Sequence, residues 1–542
     1  MKGSTYIPYL TTFLPICSAN PFLQVANTNG TAGAAACEAI GKSLAIENVT
    51  VNFAQYVTAG TTLNFTQQYN LQTCGDASAL IERDMCRIAS TVRTSERSEL
   101  TLETWLPTNW TGRFLSTGNG GVSGCIQYRD LKYTLGLGFA TVGANNGHNG
   151  TSGLAFYNNT EVVHDFADRS IHLGVVIGKQ ITAQYYGSPH TKSYYLGCST
   201  GGRQGFKSVQ TYPEDFDGVV AGATAFAFTN LTSWSATFYK IFGANASAPT
   251  YIPAGKLWTV IHNEVLRQCD GLDGVVDGIL EDPSLCQFRP EALICGSKAN
   301  GTDCLSSAQA GAVREALSDY YGVDGSLIYP GMQPGSEIFA SRVLYAAGPF
   351  PYSVDWFRYV VYNDPTWSAD TFSRQDAANA AQQNPYDIQT WNGDLSAFAS
   401  RGGKVLHYHG LMDGIISSAN SARYYNHVSR TMGLRSDELD KFYRFFRVSG
   451  MGHCSGGDGA HAIGNQISEA QGLEKEDNVL ARMVAWVEGG DGEAPEFVRG
   501  TRWVNDTKAL GVDYTRKHCK YPLRNTCVDP ANSKKEEAWK CV

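Results

Sequence analysis

The sequence predicts an α/β fold built on a parallel sheet and interrupted by one large insertion. Three observations carry this reading. Short apolar strands alternate with amphipathic helical segments up to residue 223, the alternation lapses from about 226 to 390, and it resumes at 402. Strand–helix alternation of this kind requires crossover connections, which place successive strands parallel.

Residues 37 to 100 read as a short helix, Cys37 to Leu44, followed by alternating strands. "SELTLETWLP", 98 to 107, alternates polar and apolar side chains and stops at Pro107, as a sheet strand does. "RFLSTGNGGVSG", 113 to 124, and "GFATVGANNGH", 138 to 148, are strands that run into loops. "HDFADRSIHLGVVIGKQITAQYYG", 164 to 187, carries apolar residues at helical spacing and predicts a long amphipathic helix. "SYYLGCSTGGRQGFKSVQTYP" is strand, sharp turn, helix, and "GVVAGA", 218 to 223, is a short buried strand. Residues 226 to 390 are aromatic-rich, hold Cys269, Cys286, Cys295 and Cys304, and read as an inserted lid. "GGKVLHYHGLMDGIISS", 402 to 418, is a buried strand followed by an acidic loop. "SARYYNHVSRTMG" is a helix, "FYRFFRVSGMGHC", 442 to 454, a strand running into a histidine loop, and "NVLARMVAWVEGG", 478 to 490, a helix. The last 40 residues read as loop-rich, with three cysteines. The expected organisation is a catalytic α/β domain at 37–225 and 391–542, a lid at 226–390, and a signal peptide or N-terminal extension at 1–36.

With 542 residues, the chain is too long for one small core. Its 43% hydrophobic and 17% charged content indicates a folded globular protein. The formal net charge of -8 is spread without long runs, and neither a basic stripe nor zinc-finger spacing points to nucleic acid. No window approaches the roughly 20 apolar residues of a membrane span. Fourteen cysteines and ten N-x-S/T sequons, at Asn29, Asn48, Asn64, Asn109, Asn149, Asn158, Asn230, Asn245, Asn300 and Asn505, predict a secreted glycoprotein. The N-terminal "MKGSTYIPYLTTFLPICSAN" reads as a weak signal peptide or as an ordered extension. Cleavage after Ala19 would remove Cys17.

The chemistry centres on Ser199. "GCSTGG" places it between a predicted strand and a predicted helix, the context of a nucleophile elbow, where flanking glycines allow close backbone approach. A bare G-x-S-x-G is common in glycine-rich chains; the strand and helix around it give this one its meaning. The acid and base follow in the order Ser, Asp, His: Asp413 comes after the strand "KVLHYHG" and His453 after "RFFRVSG". His453 is expected to move the serine proton and Asp413 to fix the imidazole tautomer. His407 and His409 lie within a strand and are expected to pack or support the site. The oxyanion hole is expected from the backbone N–H groups of Thr200 and of Gly121 in "TGNGG". Cys198, beside the serine, is at this point a second nucleophile, a filler or a structural partner.

"CDGLDGVVDGILEDPSLC", 269 to 286, sets Asp270, Asp273 and Asp277 among glycines. Hard oxygen donors in such a loop suit Ca²⁺, although the spacing is not that of an EF-hand and a plain Asp/Gly turn fits equally well.

Together "GNGG", "GCSTGGRQG", "LRQCDGLDGVVDGI", "FYRFF", "GMGHC", "RKHCKYP" and the cysteine contexts near 74 and 86 resemble the tannase and feruloyl esterase family, most closely its fungal B-type feruloyl esterases. The similarity runs from about Cys37 to the C-terminus. It implies an α/β-hydrolase core with a large inserted lid domain. It also implies a disulfide between Cys198 and Cys454, next to the serine and the histidine, which makes Cys198 a clamp and not a nucleophile. Further implied pairs are Cys37 with Cys86, Cys74 with Cys125, Cys269 with Cys286, Cys295 with Cys304, and Cys519 with Cys541. Cys17 and Cys527 are left over. Structural Ca²⁺ is implied at Asp270, Asp273 and Asp277 with the carbonyls of Val275 and Ile279, and no organic cofactor.

The implied activity is hydrolysis of feruloyl, p-coumaroyl or caffeoyl esters, small phenolic esters attached to plant cell-wall polysaccharide such as xylan. Galloyl esters are the alternative. The lid would shape the acyl pocket, with "DWFRYVVYNDPTW", 355 to 367, a source of stacking aromatics that otherwise form lid core. An inactive hydrolase-like binding protein would need a broken triad or a filled oxyanion loop, and a secreted serine peptidase fits the resemblance less well.

Overall fold

The structure, a computed structural model, describes residues 26–27, 30–66, 70–296, 303–466, 469 and 471–542. Residues 1–25 of the expected N-terminal segment, Cys17 and the Ala19 cleavage position included, lie outside them. The N-terminal helix is longer than its sequence suggests: α1 spans Gly30–Ser43. It packs on the first strand of a nine-stranded sheet, where Gly41 meets Ala54 too closely for any larger side chain.

In chain order the strands are β1 (Val49–Val57), β2 (Met85–Arg93), β3 (Glu99–Pro107), β4 (Arg113–Thr117), β5 (Ala140–Ala144), β6 (Lys192–Cys198), β7 (Gly218–Gly222), β8 (Lys404–Gly410) and β9 (Tyr443–Val448). Their spatial order is β9-β8-β7-β6-β4-β5-β3-β2-β1. The six strands from β9 to β5 are parallel, as expected. The other three form an antiparallel wing, which the strand–helix alternation does not predict. The reason is local. The link from β2 to β3 is too short for a crossover, so these strands can only return as a hairpin.

Alternate residues of the parallel strands face opposite layers. Phe114, Tyr195, Val219 and Val405 pack against helices α2 (Ser170–Tyr186) and α3 (Thr200–Thr211) on one side. Leu115, Leu196, Val220 and Leu406 face the C-terminal helix, Val479–Gly489, on the other. The helix expected over 164 to 187 is observed from Thr160, with a π-turn at Asp165–Arg169. That turn seats buried Asp165 against Thr94, Ser98 and Arg169.

The segment between β7 and β8 has its own apolar core around Trp234, Trp258, Trp356 and Phe357, continuous with Val122, Phe156 and Phe166 from the sheet side. Trp356 and Phe357 are fully buried. Through these two rings the stretch 355–367 supplies core, as expected for most of its aromatics. The chain's last part is also more regular than expected. Phe497–Trp503 and Val512–Cys519 form an antiparallel hairpin, since "VDYTRKHC" alternates to match its partner. Among the described residues no helix is long and apolar enough to cross a membrane.

Candidate active site

Ser199, Gly121, Asp413 and His453 each sit just past the C-terminal end of a parallel strand (β6, β4, β8 and β9), the edge where α/β sheets expose functional loops. Ser199 has φ 65° and ψ -123°, a conformation strained for a side-chain-bearing residue. The surroundings impose it. The Ser199 N–H donates to the Gly222 carbonyl at 3.0 Å, and its own carbonyl accepts from Arg203 and Ala225, both at 3.1 Å. A Cβ at Gly202 would stand 2.4 Å from the Gly222 oxygen, so the glycine after the turn is required.

The two loops that flank the serine are tied to it. Thr200 Oγ1 donates to the Gly121 carbonyl at 2.6 Å. The Asn119 N–H donates to Gln204 Oε1 at 2.9 Å, and Gln204 Nε2 donates to Asn119 Oδ1 at 3.0 Å. Gln204 thus holds the glycine loop in register with the elbow. Its place in "GGRQG" was visible in the sequence, but its partner 85 residues away was not. Gly121 has φ 57°, and a Cβ there would strike the Tyr352 ring at 2.6 Å.

Asp413 is fully buried and completely used. Its Oδ2 accepts from His453 Nδ1 at 2.7 Å and from His409 Nε2 at 3.1 Å. Its Oδ1 accepts the N–H groups of Ile415 at 2.8 Å and Ile416 at 3.0 Å. Burial opposes its ionisation, yet His453 and His409 outweigh that and hold the carboxyl below the usual carboxylate range. Behind it lies a chain of side chains. With His409 donating from Nε2, its Nδ1 accepts from Ser421 Oγ at 2.7 Å. Ser421 then accepts from His407 Nε2 at 3.1 Å, and His407 Nδ1 accepts from the Tyr443 hydroxyl at 3.0 Å. One direction of donation satisfies every member. Burial, followed by the neighbouring His409, depresses His407 well below its ordinary value. From the inserted segment, Gln333 Nε2 donates to the Asp413 carbonyl at 2.5 Å.

Ser199 and His453 line one cavity of about 350 Å³. A disulfide between Cys198 and Cys454 joins their loops, and Asn465 Nδ2 donates to the Cys454 carbonyl at 2.8 Å. The inserted segment contributes Phe228, Leu231, Phe350 and Tyr352 to the walls. A second cavity, of about 660 Å³, lies beside Lys240, Arg314 and Arg374 and touches none of these residues.

Comparison with known proteins gives the chain's family. Residues 86–542 match the family model described as tannase and feruloyl esterase. The chain belongs to the tannase and feruloyl esterase family. A relative from Neosartorya fischeri named probable feruloyl esterase B-2 is 58% identical over 509 residues, 94% of this chain and 95% of that one. The crystal structure of feruloyl esterase B from Aspergillus oryzae superposes with a TM-score of 0.91 at 52% identity, covering 94% of this chain and all of that one. Tannin acyl hydrolase from Aspergillus niger shares the fold, with a TM-score of 0.74 at 23% identity and coverage of 94% and 95%.

This family member forms every disulfide that the resemblance implied: 37–86, 74–125, 198–454, 269–286, 295–304 and 519–541. Cys527 is buried and has no partner among the described residues. Of the described sequon asparagines, only Asn230 is not exposed, and its amide donates to the Ile328 carbonyl.

The acidic loop is a different case. Asp270 accepts from the Asp277 and Gly278 N–H groups, and Asp273 Oδ1 from Val275. Asp277 Oδ2 and Glu281 Oε1 share Arg516, at 2.7 and 2.6 Å. Asp273 Oδ2 is buried with no hydrogen-bond partner, and burial pushes its carboxyl up to about 7. Four carboxylates in one loop, with one guanidinium shared by two of them, fit a hard cation in charge and donor type. Their present placement is looser than a metal site: among the described residues no three acidic, His or Cys side chains converge as a ligand set.

Proposed function

We propose that the chain hydrolyses hydroxycinnamate esters through a serine mechanism, with Ser199 as nucleophile, His453 as base and Asp413 as the group that orients it. That it is a feruloyl esterase, and so a carboxylic ester hydrolase, rests on the relatives that carry that name at 58% identity. The observation that supports the mechanism is the meeting of Ser199 and His453 on one cavity, with Asp413 2.7 Å behind the imidazole. Ser199 Oγ attacks the ester carbonyl as His453 Nε2 takes its proton, and Asp413 stabilises the imidazolium. The N–H groups of Thr200 and Gly121 receive the oxyanion. His453 then protonates the leaving alcohol, and water releases the acid from the acyl-enzyme.

The segment 226–390 acts as a lid over a catalytic domain formed by 37–225 and 391–542, and its Phe228, Leu231 and Phe350 form the acyl wall. Ca²⁺ would be held by Asp270, Asp273 and Asp277 with the carbonyls of Val275 and Ile279, as a structural ion that balances the loop's charge. Disulfides and exposed sequons support secretion and glycosylation, and plant cell-wall material is the setting such an enzyme would meet. The test sets methyl ferulate, methyl caffeate and methyl gallate side by side, with Ser199→Ala as control. Turnover of the cinnamates that vanishes in the variant is expected. Activity retained by Ser199→Ala would sink the mechanism, and a preference for gallate would reassign the substrate.

A further inference from the structure

The loop between β8 and the helix Ser418–Met432 carries the acid of the proposed triad and more. Asp413 holds His453, the Ile415 and Ile416 N–H groups hold Asp413 Oδ1, and both isoleucines line the cavity. The loop's own atoms leave two backbone groups without a partner. One is the Asp413 carbonyl, and the other is the N–H of Ser418, an orphan donor at the first position of its helix. Ser417 stands at the N-cap but makes no capping bond; its Oγ donates instead to the Gly331 carbonyl at 2.6 Å.

One side chain from the inserted segment satisfies both groups. Gln333 Nε2 donates to the Asp413 carbonyl, and Gln333 Oε1 accepts from the Ser418 N–H at 3.0 Å. A side-chain amide can donate and accept at once without bringing a charge beside Asp413. Gln333 is itself held. Ser336 Oγ donates to its carbonyl at 2.7 Å, while Glu337 accepts the Gly335 N–H at 2.8 Å and meets His262 Nδ1 at 3.0 Å. The short helix Glu337–Ala340 closes on the loop so tightly that a Cβ at Gly414 would stand 2.4 Å from the Ala340 nitrogen. Gln333, Ser336, Glu337, Asp413, Ser417 and Ser418 are all buried.

We propose that Gln333 is a positioning residue for the hydrolysis: it acts through Asp413, fixing the loop so that the carboxylate stays aimed at His453. The proposal rests on the serine-mechanism reading above. The inserted segment is then part of the frame of the triad and not only a cover over the cavity. Without Gln333, the Asp413 carbonyl and the Ser418 N–H lose their partners where they are buried, and the loop shifts to relieve that. Asp413 moves with the loop, and less of its negative charge then bears on the imidazole. The imidazolium formed as His453 takes the serine proton is less well stabilised, so turnover falls. Substrate contacts made elsewhere in the cavity change less.

The experiment measures kcat, KM and the kcat/KM–pH profile on methyl ferulate for the wild type, Gln333→Met, Gln333→Glu and Ser417→Ala. Each protein is checked by circular dichroism and counted by active-site titration with a serine-directed phosphonate. Gln333→Met keeps the length of the side chain but has no N–H donor and only a weak acceptor. It should lose about tenfold to a hundredfold in kcat with a smaller change in KM. Its acidic limb should move to lower pH, because the imidazolium has lost part of its counter-charge. Gln333→Glu keeps an acceptor for Ser418 but turns a second acceptor towards the Asp413 carbonyl, so it should be no more active than Gln333→Met. Ser417→Ala cuts only the bond to Gly331; it should move the limb the same way by less, and it carries the test if Gln333→Met does not fold. A loss of activity with the acidic limb unmoved is what a merely structural role gives, and it would overturn the positioning role. Wild-type turnover in Gln333→Glu would overturn it too, since capping Ser418 would then suffice. Activity retained by Ser199→Ala, or no hydrolysis of any ester by the wild type, would instead remove the serine-esterase reading on which the proposal rests.

Discussion

Two acidic regions of this molecule, one around the buried Asp413 and one around the half-buried Asp273, reach opposite electrostatic states. Around Asp413 every acceptor has its donor: two imidazoles, two backbone N–H groups, and a relay that ends at Tyr443. Around Asp273 one carboxylate oxygen is orphaned, and the neighbouring Asp277 and Glu281 share a single arginine. The first region is complete with the chain's own atoms and the second is not. A buried charge with full solvation by fixed dipoles can be kept ionised and aimed, which is what a catalytic acid partner needs. A partly buried acidic cluster short of positive charge gains stability if something else supplies it.

The largest expected effect breaks the complete region at its centre. Asp413→Asn keeps the shape but offers an amide where two imidazole N–H groups point, so one ring must turn or change tautomer. Turnover should fall about 10³- to 10⁴-fold with little change in KM, measured on methyl ferulate. A loss under tenfold would show that Asp413 does not orient His453. Next is the clamp. Replacing both Cys198 and Cys454 with Ala frees the elbow from the histidine loop, and small displacements there are expensive in rate. A folded double variant should lose about 10²-fold in kcat while KM moves much less; unchanged turnover would make the bridge a fold staple only.

How much of this was legible in the sequence follows the range of the interactions. Ser199, Asp413 and His453 stand out because each follows an apolar strand, a local pattern, and strand ends share one edge of a parallel sheet. The antiparallel wing escaped because direction depends on loop length more than on the strand's own composition. Gln333, Ser421 and Arg516 escaped for a different reason. They are ordinary residue types whose partners lie elsewhere in the chain, as with Gln333 and Asp413, 80 residues apart. The disulfide pairs came from the resemblance, since fourteen cysteines alone do not specify a connectivity. In the inserted segment aromatic content and its core use at Trp356 and Phe357 were legible, but the cavity-facing Phe350 and Tyr352 were not.

A smaller effect sharpens the role of the relay. His409→Ala removes one donor from Asp413 Oδ2, so more of the carboxylate's charge falls on His453 and the imidazolium is favoured. The acidic limb of the kcat/KM–pH profile should therefore move to higher pH. His409→Gln keeps a donor near the Nε2 position and should leave the limb in place. A merely structural role for His409 would lower activity without moving the limb, and that result would refute positioning through Asp413.

The smallest effect in rate, and the plainest test of the contrast, concerns the incomplete region. If Ca²⁺ supplies the missing charge, adding it to chelator-treated protein should raise the melting temperature, by an amount set by ligand excess: about 2.7 kcal/mol at a hundredfold excess over Kd. Asp273→Asn removes the orphaned charge, so without Ca²⁺ the variant should melt no lower than the wild type, while its response to Ca²⁺ shrinks. In the Asp413 region the same exchange of acid for amide destabilises under all conditions, because there the negative charge is already fully partnered. Equal melting temperatures with chelator and with Ca²⁺ in the wild type would mean that Arg516 alone balances the loop, and the two regions would then differ in degree only.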